Sequence, residues 1–286
     1  MAAMKPVLAI AAAVRGEAPY LLEWIAYHRA LGIEAFLLAD NGGDDGTSEL
    51  LQKLERHQVV GRIDWTGKKY FQLAFLRQAI ELGQMFDSGL FLIDVDEFLR
   101  PLDGVLSIAD LARSWMADPD IGAVAINWAI YGSSGHQNAS EGLVIERFTR
   151  RAPQDFHINQ HVKSFIRPDR CASPCSNPHS VRLKAGRYVD SAGEDVTWDQ
   201  TVVPSGISTK VVWRNIRVDH FVIKSREEFE RKRARGSAHS PSTEEVRRRE
   251  DYFHSHDRND VEDPMPELLV RRTKIELERL RAKLDD

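Results

Sequence analysis

Three carboxylates, Asp94, Asp96 and Glu97, close an apolar run that reads Phe-Leu-Ile-Asp-Val-Asp-Glu-Phe over residues 91–98. Such a run has the character of a strand buried in a parallel sheet. An unpaired carboxylate in that setting is costly, so acids there need a reason. At the carboxyl end of a strand they face the crevice in which open α/β sheets bind ligands. On an extended chain residues two apart point the same way, which would set Asp94 and Asp96 side by side. Two hard oxygen ligands suit Mn2+ or Mg2+, with phosphate oxygens completing the shell. The same acids could instead cap the next loop or pair with Arg100. The motif alone leaves both open.

A frame of strands and helices must hold these acids, and the first half of the chain predicts one. Strands are expected over 7–14, 35–39, 62–65, 90–93 and 123–128. Helices are expected over 19–31, where Pro19 lies in the first turn and Gly32 follows the end, and over 47–56, 71–86 and 108–116. Residues 40–46, Asp-Asn-Gly-Gly-Asp-Asp-Gly, form a loop signal, and Thr47 or Ser48 can cap the helix after it. This alternation argues for an α/β fold, a mostly parallel sheet with helices on both faces. Beyond Trp128 strands over 144–148, 162–166 and 218–223 follow without long helices between them, predicting an antiparallel portion. Ser225-Arg-Glu-Glu228 fits a capping box. Residues 267–284 scatter Leu268, Leu269, Ile275, Leu277, Leu280 and Leu284 among charges, as a helix packed on the body, a partner-binding helix or a solvated face would. The expected organisation is a domain over 1–236, with halves 1–128 and 129–236, and a charged helical extension over 237–286.

Composition narrows the classes. A hydrophobic fraction of 42% is that of a globular chain, and a net charge of −4 gives no reason to expect nucleic-acid binding. No apolar run approaches the roughly 20 residues of a membrane-spanning helix. The run over 6–14 lacks the flanks of a secretory signal, so a cytoplasmic protein is expected. Cys171 and Cys175, with His179 nearby, could contribute to a zinc site, or could be loop thiols or a labile disulfide.

In their order, several segments resemble the family 2-like glycosyltransferases of the GT-A fold, in a bacterial branch with a DxD motif. The segments are Glu17-Ala-Pro-Tyr-Leu-Leu-Glu-Trp-Ile-Ala-Tyr-His28, Ala39-Asp-Asn-Gly-Gly-Asp-Asp-Gly-Thr47, Ile93-Asp-Val-Asp-Glu-Phe98, Asn127-Trp-Ala-Ile-Tyr-Gly-Ser-Ser-Gly-His136, His161-Val-Lys-Ser164 and Asp219-His-Phe-Val-Ile-Lys-Ser225. One departure is Arg15-Gly16-Glu17, where many relatives carry Lys-Asn-Glu. The resemblance implies sugar transfer, inverting and metal-dependent, from a UDP- or GDP-sugar to a sugar or lipid-linked acceptor in surface polysaccharide synthesis. It implies Mn2+ or Mg2+ held by Asp94, Asp96 and His220, with Asp94 also near the ribose and Asp40 on the nucleoside. Glu17 and His136 join the donor-binding residues, and His136 could also approach the acceptor. Lys163, Arg167 and Lys224 would offset diphosphate charge. The loop 132–135 could offer backbone donors, and Trp128 could stack on a sugar. For the base, Glu146 stands ahead of Asp155 and Glu194. The basic residues 231–235 and 247–249 could touch a membrane peripherally or form a solvated face. A nucleotidyltransferase and a non-catalytic nucleotide- or sugar-binding module are the alternatives.

Overall fold

The computed structural model describes residues 7–85, 88–172, 177–199, 204–236, 241–248 and 251–285. Its first half alternates β1 (Val7–Val14), α1 (Ala18–Ala30), β2 (Ala35–Asp40), α2 (Thr47–Arg56), β3 (Gly61–Asp64), α3 (Gln72–Gln84) and β4 (Ser88–Leu92). There follow β5 (Glu97–Pro101), α4 (Ile108–Ala117), β6 (Ile121–Ile130), α5 (Val144–Arg147), β7 (Arg150–Arg151), β8 (Val162–Ile166), β9 (Arg187–Asp190) and β10 (Ile216–His220). The chain continues through α6 (Arg226–Arg235), α7 (Pro241–Arg248), α8 (Asp251–His256), β11 (Val261–Glu262) and α9 (Glu267–Asp285).

One large mixed sheet carries the fold, in the order β3-β2-β1-β4-β8-β6-β10-β5, with β9 also beside β6. The strands β3, β2, β1 and β4 are parallel, as their alternation with helices predicts. β8 then runs antiparallel to β4 and β6 and joins the parallel half to the remainder. β6 is buried along all ten residues, which explains its uninterrupted apolar character.

Residues 144–148 form the short helix α5 and not the expected strand. The cause lies in α1: the carboxylate of Glu23 accepts hydrogen bonds from Val144 N at 2.8 Å and Ile145 N at 3.1 Å. Those donors would otherwise be orphaned at a helix start. Burial pushes the Glu23 carboxyl up to about 7 from an ordinary 4.5, against the pull of these two bonds. Its contribution to stability is therefore full below about pH 4.5 and is lost as pH rises through about 7. Carboxyl-carbon NMR should show Glu23 titrating near pH 7; a midpoint below 5 would contradict this placement.

The capping box forms as expected, with Ser225 Oγ accepting from Glu228 N and Glu228 Oε2 accepting from Ser225 N. β10 ends at His220, three residues before its predicted end. Leu269, Thr273, Leu277, Leu280 and Leu284 make one buried face of α9, which lies against α1. Met265 and those leucines belong to the same apolar core as Trp24 and Tyr27, so the core runs on across the boundary placed at 236. Leu268 and Ile275 face solvent.

A buried charge network ties this C-terminal segment down. Asp219 accepts from Arg217 Nε at 2.6 Å and from Arg100 Nη1 at 3.3 Å. Asp263 accepts from Arg100 Nη2 and Arg217 Nη2, both at 2.8 Å, and also from Arg151. Tyr131 Oη accepts from both Arg100 and Arg217 and donates to Asp263 O at 2.9 Å. Arg100 is thus committed here and is not the partner of the strand-end acids.

Among the described residues, no helix is long and apolar enough to cross a membrane. Cys171 is buried, its Sγ 3.3 Å from Arg167 O, while Cys175 lies outside the described residues.

Candidate active site

The strand-end acids do not lie on an extended chain. β4 stops at Leu92 and β5 starts at Glu97, with a turn between them. The turn is pinned twice: Glu97 N donates to Asp94 O at 3.1 Å, and Asp94 N donates to Glu97 Oε2 at 2.8 Å. The chain reverses through the motif, so the side-by-side placement of Asp94 and Asp96 fails. Asp94 accepts from Gln72 Nε2 and Lys163 Nζ, each at 2.8 Å. Asp96 accepts instead from Lys232 Nζ, and His220 Nε2 stands 3.5 Å from the same oxygen. Lys232 also donates to Val222 O at 2.8 Å.

These partners set the charges. Burial disfavours ionised Asp96, yet the Lys232 ammonium, followed by His220, holds it well below the usual carboxylate range. Burial pushes Glu97 well above that range, with Lys163 opposing. Burial lowers His220 as well, against the pull of Asp96.

The metal expectation can be tested on this geometry. Asp94, Asp96 and His220 do not converge on one point, because each carboxylate is already met by a lysine. Among the described residues, no group of three His, Cys, Asp or Glu side chains is placed to hold a metal ion. The residues as arranged do not fit Mn2+ or Mg2+.

Asp94, Asp96 and His220 nevertheless share a cavity of about 440 Å3 with Gln72, Trp128, His161, His179, Tyr252 and His256. Trp128 is its organiser: His161 stacks on the indole at 4.9 Å and 15°, and His220 lies 4.3 Å from it. Three of the imidazoles are oriented by backbone carbonyls. Nδ1 of His161 lies 3.0 Å from Ile158 O, that of His179 3.1 Å from Val162 O, and that of His256 2.9 Å from Tyr252 O. A carbonyl only accepts, so each Nδ1 carries the proton and each Nε2 the lone pair. Burial lowers His161, and takes His256 down to about 4. Of these four histidines the sequence points to His220 as a metal ligand and to His179 as a candidate zinc ligand beside Cys171, while His161 stands only within a motif and His256 in none.

A second cavity, of about 650 Å3, opens at the ends of β1 and β2. Arg15, Glu17, Asn41 and Asp45 line it from those strand ends, and Lys224, Arg231, Lys232 and Arg235 from the opposite side. Lys232 lines this cavity while its partner Asp96 lines the first, so their ion pair stands between the two. Glu17, a predicted donor-binding residue, does face this cavity, where it pairs with Arg235.

The other expected residues lie elsewhere. Asp40 is fully buried and lines neither cavity; it accepts from Arg62 Nη1 at 3.0 Å, Ser48 Oγ at 2.7 Å and Gly42 N at 3.0 Å. Its role in this structure is to fix the loop after β2, while its neighbour Asn41 reaches the cavity. Glu146 is on the surface of α5, 2.6 Å from Lys274 of α9, and does not reach either cavity. His136 sits beside Phe148 with Nε2 3.1 Å from Arg147 O, again outside both. Lys163 is buried between Asp94 and Glu97 and acts as their counter-ion. Arg167 is engaged with Met116 O and Asp118 O. The backbone donors of the 132–135 loop are spent inside the fold: Ser133 N donates to Asp257 and Ser134 N to Asn259.

Residues 13–278 match the model described as glycosyltransferase family 92, a span that includes both cavities. The class is therefore that of the glycosyltransferases. The chain belongs to glycosyltransferase family 92. The motif resemblance to family 2 reached the class, and the family match corrects it to family 92. A family 92 protein of Oryza sativa subsp. japonica is 30% identical over 181 residues, covering 62% of this chain and 30% of the relative. One of Arabidopsis thaliana is 29% identical over 194 residues, covering 64% and 32%. The chain spans about a third of the length of these curated relatives. Similar solved structures include S. aureus TarS, 11% identical with a TM-score of 0.36 over 58% of this chain and 28% of that one. TarS 1–349 in complex with UDP is 10% identical with a TM-score of 0.36, covering 58% and 47%.

Proposed function

We propose that the protein transfers a sugar from a nucleoside-diphospho-sugar to an acceptor hydroxyl. Family membership supports the reaction class, and one observation carries the site: two cavities, one cationic and one rich in imidazole, separated by the Asp96–Lys232 pair. The cationic cavity would take the nucleotide portion and the imidazole cavity the sugar and the acceptor.

In this reading the acceptor hydroxyl gives its proton to His161 Nε2. The tautomer is fixed by Ile158 O, and the lowered basicity keeps the ring neutral and able to accept. The acceptor oxygen forms its bond to the anomeric carbon as the bond to the diphosphate oxygen breaks, and that electron pair leaves with the nucleoside diphosphate. A single displacement with inversion suits the site, since Asp94 and Asp96 are each committed to a lysine and neither stands free as a nucleophile. His161→Ala should lower kcat by about 10²–10⁴-fold, the range for a lost general base, with little change in donor KM. An unchanged kcat would remove His161 from the mechanism. The reading as a whole is tested by screening UDP- and GDP-sugars for release of nucleoside diphosphate. Release from one donor is expected; no release from any donor, with or without acceptor sugars, would overturn it.

A further inference from the structure

Five basic side chains line the cationic cavity against the four acids Glu17, Asp44, Asp45 and Glu228, and two of the five are in no direct ion pair among the described residues. Arg235 pairs with Glu17, Arg231 with Glu227 and Lys232 with Asp96. Arg15 and Lys224 also line the cavity, and neither has a hydrogen-bond or ion-pair partner among the described residues. Lys224 is the more telling of the two. It is only 4% exposed, and its Nζ rests over the Tyr20 ring at 4.3 Å. Its backbone lies at φ 56, the left-handed region that a side-chain-bearing residue enters at a cost. Asp96 and Glu23 feel the Lys224 charge through space, but Asp96 is paired with Lys232 and Glu23 is bonded to the start of α5. A nearly buried ammonium with no carboxylate in direct contact, held on a strained backbone, is expensive unless something else supplies negative charge beside it. The helix start at this cavity does not offer its donors, because Ala18 N already bonds Asp45 and Thr47.

We propose that Lys224 and Arg15 are the binding groups for the donor's diphosphate, and that the positive charge at Asp96 is supplied by Lys232 in place of a divalent ion. This rests on the nucleotide-sugar reading above and adds to it which groups hold the leaving group. Arg and Lys match phosphate oxygens in both charge and donor geometry. The leaving diphosphate then departs into a field set by fixed side chains, which need no reorganisation as charge develops.

The test is calorimetric titration of the full chain with UDP, GDP and inorganic pyrophosphate, in EDTA and again with Mn2+. At least one of these probes should bind in EDTA. Lys224→Met and Arg15→Met should each weaken that binding tenfold or more. Lys274→Met, which removes a charge from the distant pair with Glu146, should leave it unchanged. Lys224 makes no direct ion pair among the described residues, and the acids that feel its charge are engaged by other groups, so Lys224→Met should keep its ligand-free melting temperature; were it to unfold, Arg15→Met carries the measurement. Binding that requires Mn2+, binding unaltered in both Lys224→Met and Arg15→Met, or no binding of any probe would overturn the proposal. Binding in EDTA lost in these variants, from a protein that turns over no nucleotide sugar, would leave the anion site standing and remove the transferase reading.

Discussion

Asp219→Ala should lower the free energy of unfolding by about 3–5 kcal/mol, the range for breaking a buried ion pair from one side. Asp219 is wholly buried on β10 and answers Arg217 and Arg100 together. Its removal leaves two guanidinium groups in low dielectric with Asp263 as the carboxylate still near them. Burial already works against the charged form of both arginines, and Asp219 is the first opposing influence on each. Because the second carboxylate comes from the segment before α9, the loss should spread to that segment and loosen its hold on β5 and β10. Urea denaturation of the variant at neutral pH measures the effect. Asp219→Ala combined with Arg217→Met should recover part of the loss, since the second change removes one stranded charge. A loss below 1 kcal/mol in the single variant would mean that water or Asp263 meets both arginines unaided.

Asp96→Asn carries the second large effect, and here the structure changes what the sequence suggests. As a metal ligand, Asp96 could be neutralised with the fold intact. Placed against Lys232 and His220, it is instead a buried counter-ion, and its neutralisation strands the ammonium between the two cavities. The variant should lose stability on the order of 3 kcal/mol and turnover by at least about 10²-fold. Asp96→Asn with Lys232→Met should regain much of the stability while turnover stays low, because the pair is replaced by neutral groups but its field is not. Thermal melts and donor hydrolysis, measured side by side, separate the two effects. Wild-type turnover in Asp96→Asn would remove this acid from the chemistry.

Much of the frame was legible because its determinants are local. The alternating apolar runs give β1 to β4 and their helices, and Ser225 with Glu228 announces the start of α6 from four residues. The strand β5 was not legible: Glu-Phe-Leu-Arg-Pro has an acid, a base and a proline in five residues, which suits only an edge position beside β10. The turn that parts Asp94 from Asp96 depends on Glu97 reaching back to Asp94 N, a side-chain choice that no period reveals. The misplacement of Glu146 has a similar source. Val144 and Ile145 look like strand residues, and it is Glu23, 121 residues earlier, that makes them the start of a helix. The imidazole cavity escaped notice because its members come from β10, α8 and the segments around β8, and gather only around Trp128. His220 was legible because it stood within a motif; His256 was not, because it shares the short helix α8 with His254 and no motif separates the two.

The packing of α9 on α1 has a consequence for the order in which this region can pack. A ribosome delivers α1 early, and its core-facing residues Trp24 and Tyr27 then wait for α9, more than two hundred residues later. The arginines of β5 and β10 wait likewise for Asp263. At about 5–20 residues per second, the stretch after α6 alone takes several seconds to emerge. Through that interval the nascent protein has most of its sheet but an open side. Until α9 arrives, α1 lacks the helix that packs on it, and until Asp263 arrives Arg100 and Arg217 have Asp219 alone, so this side of the fold closes last.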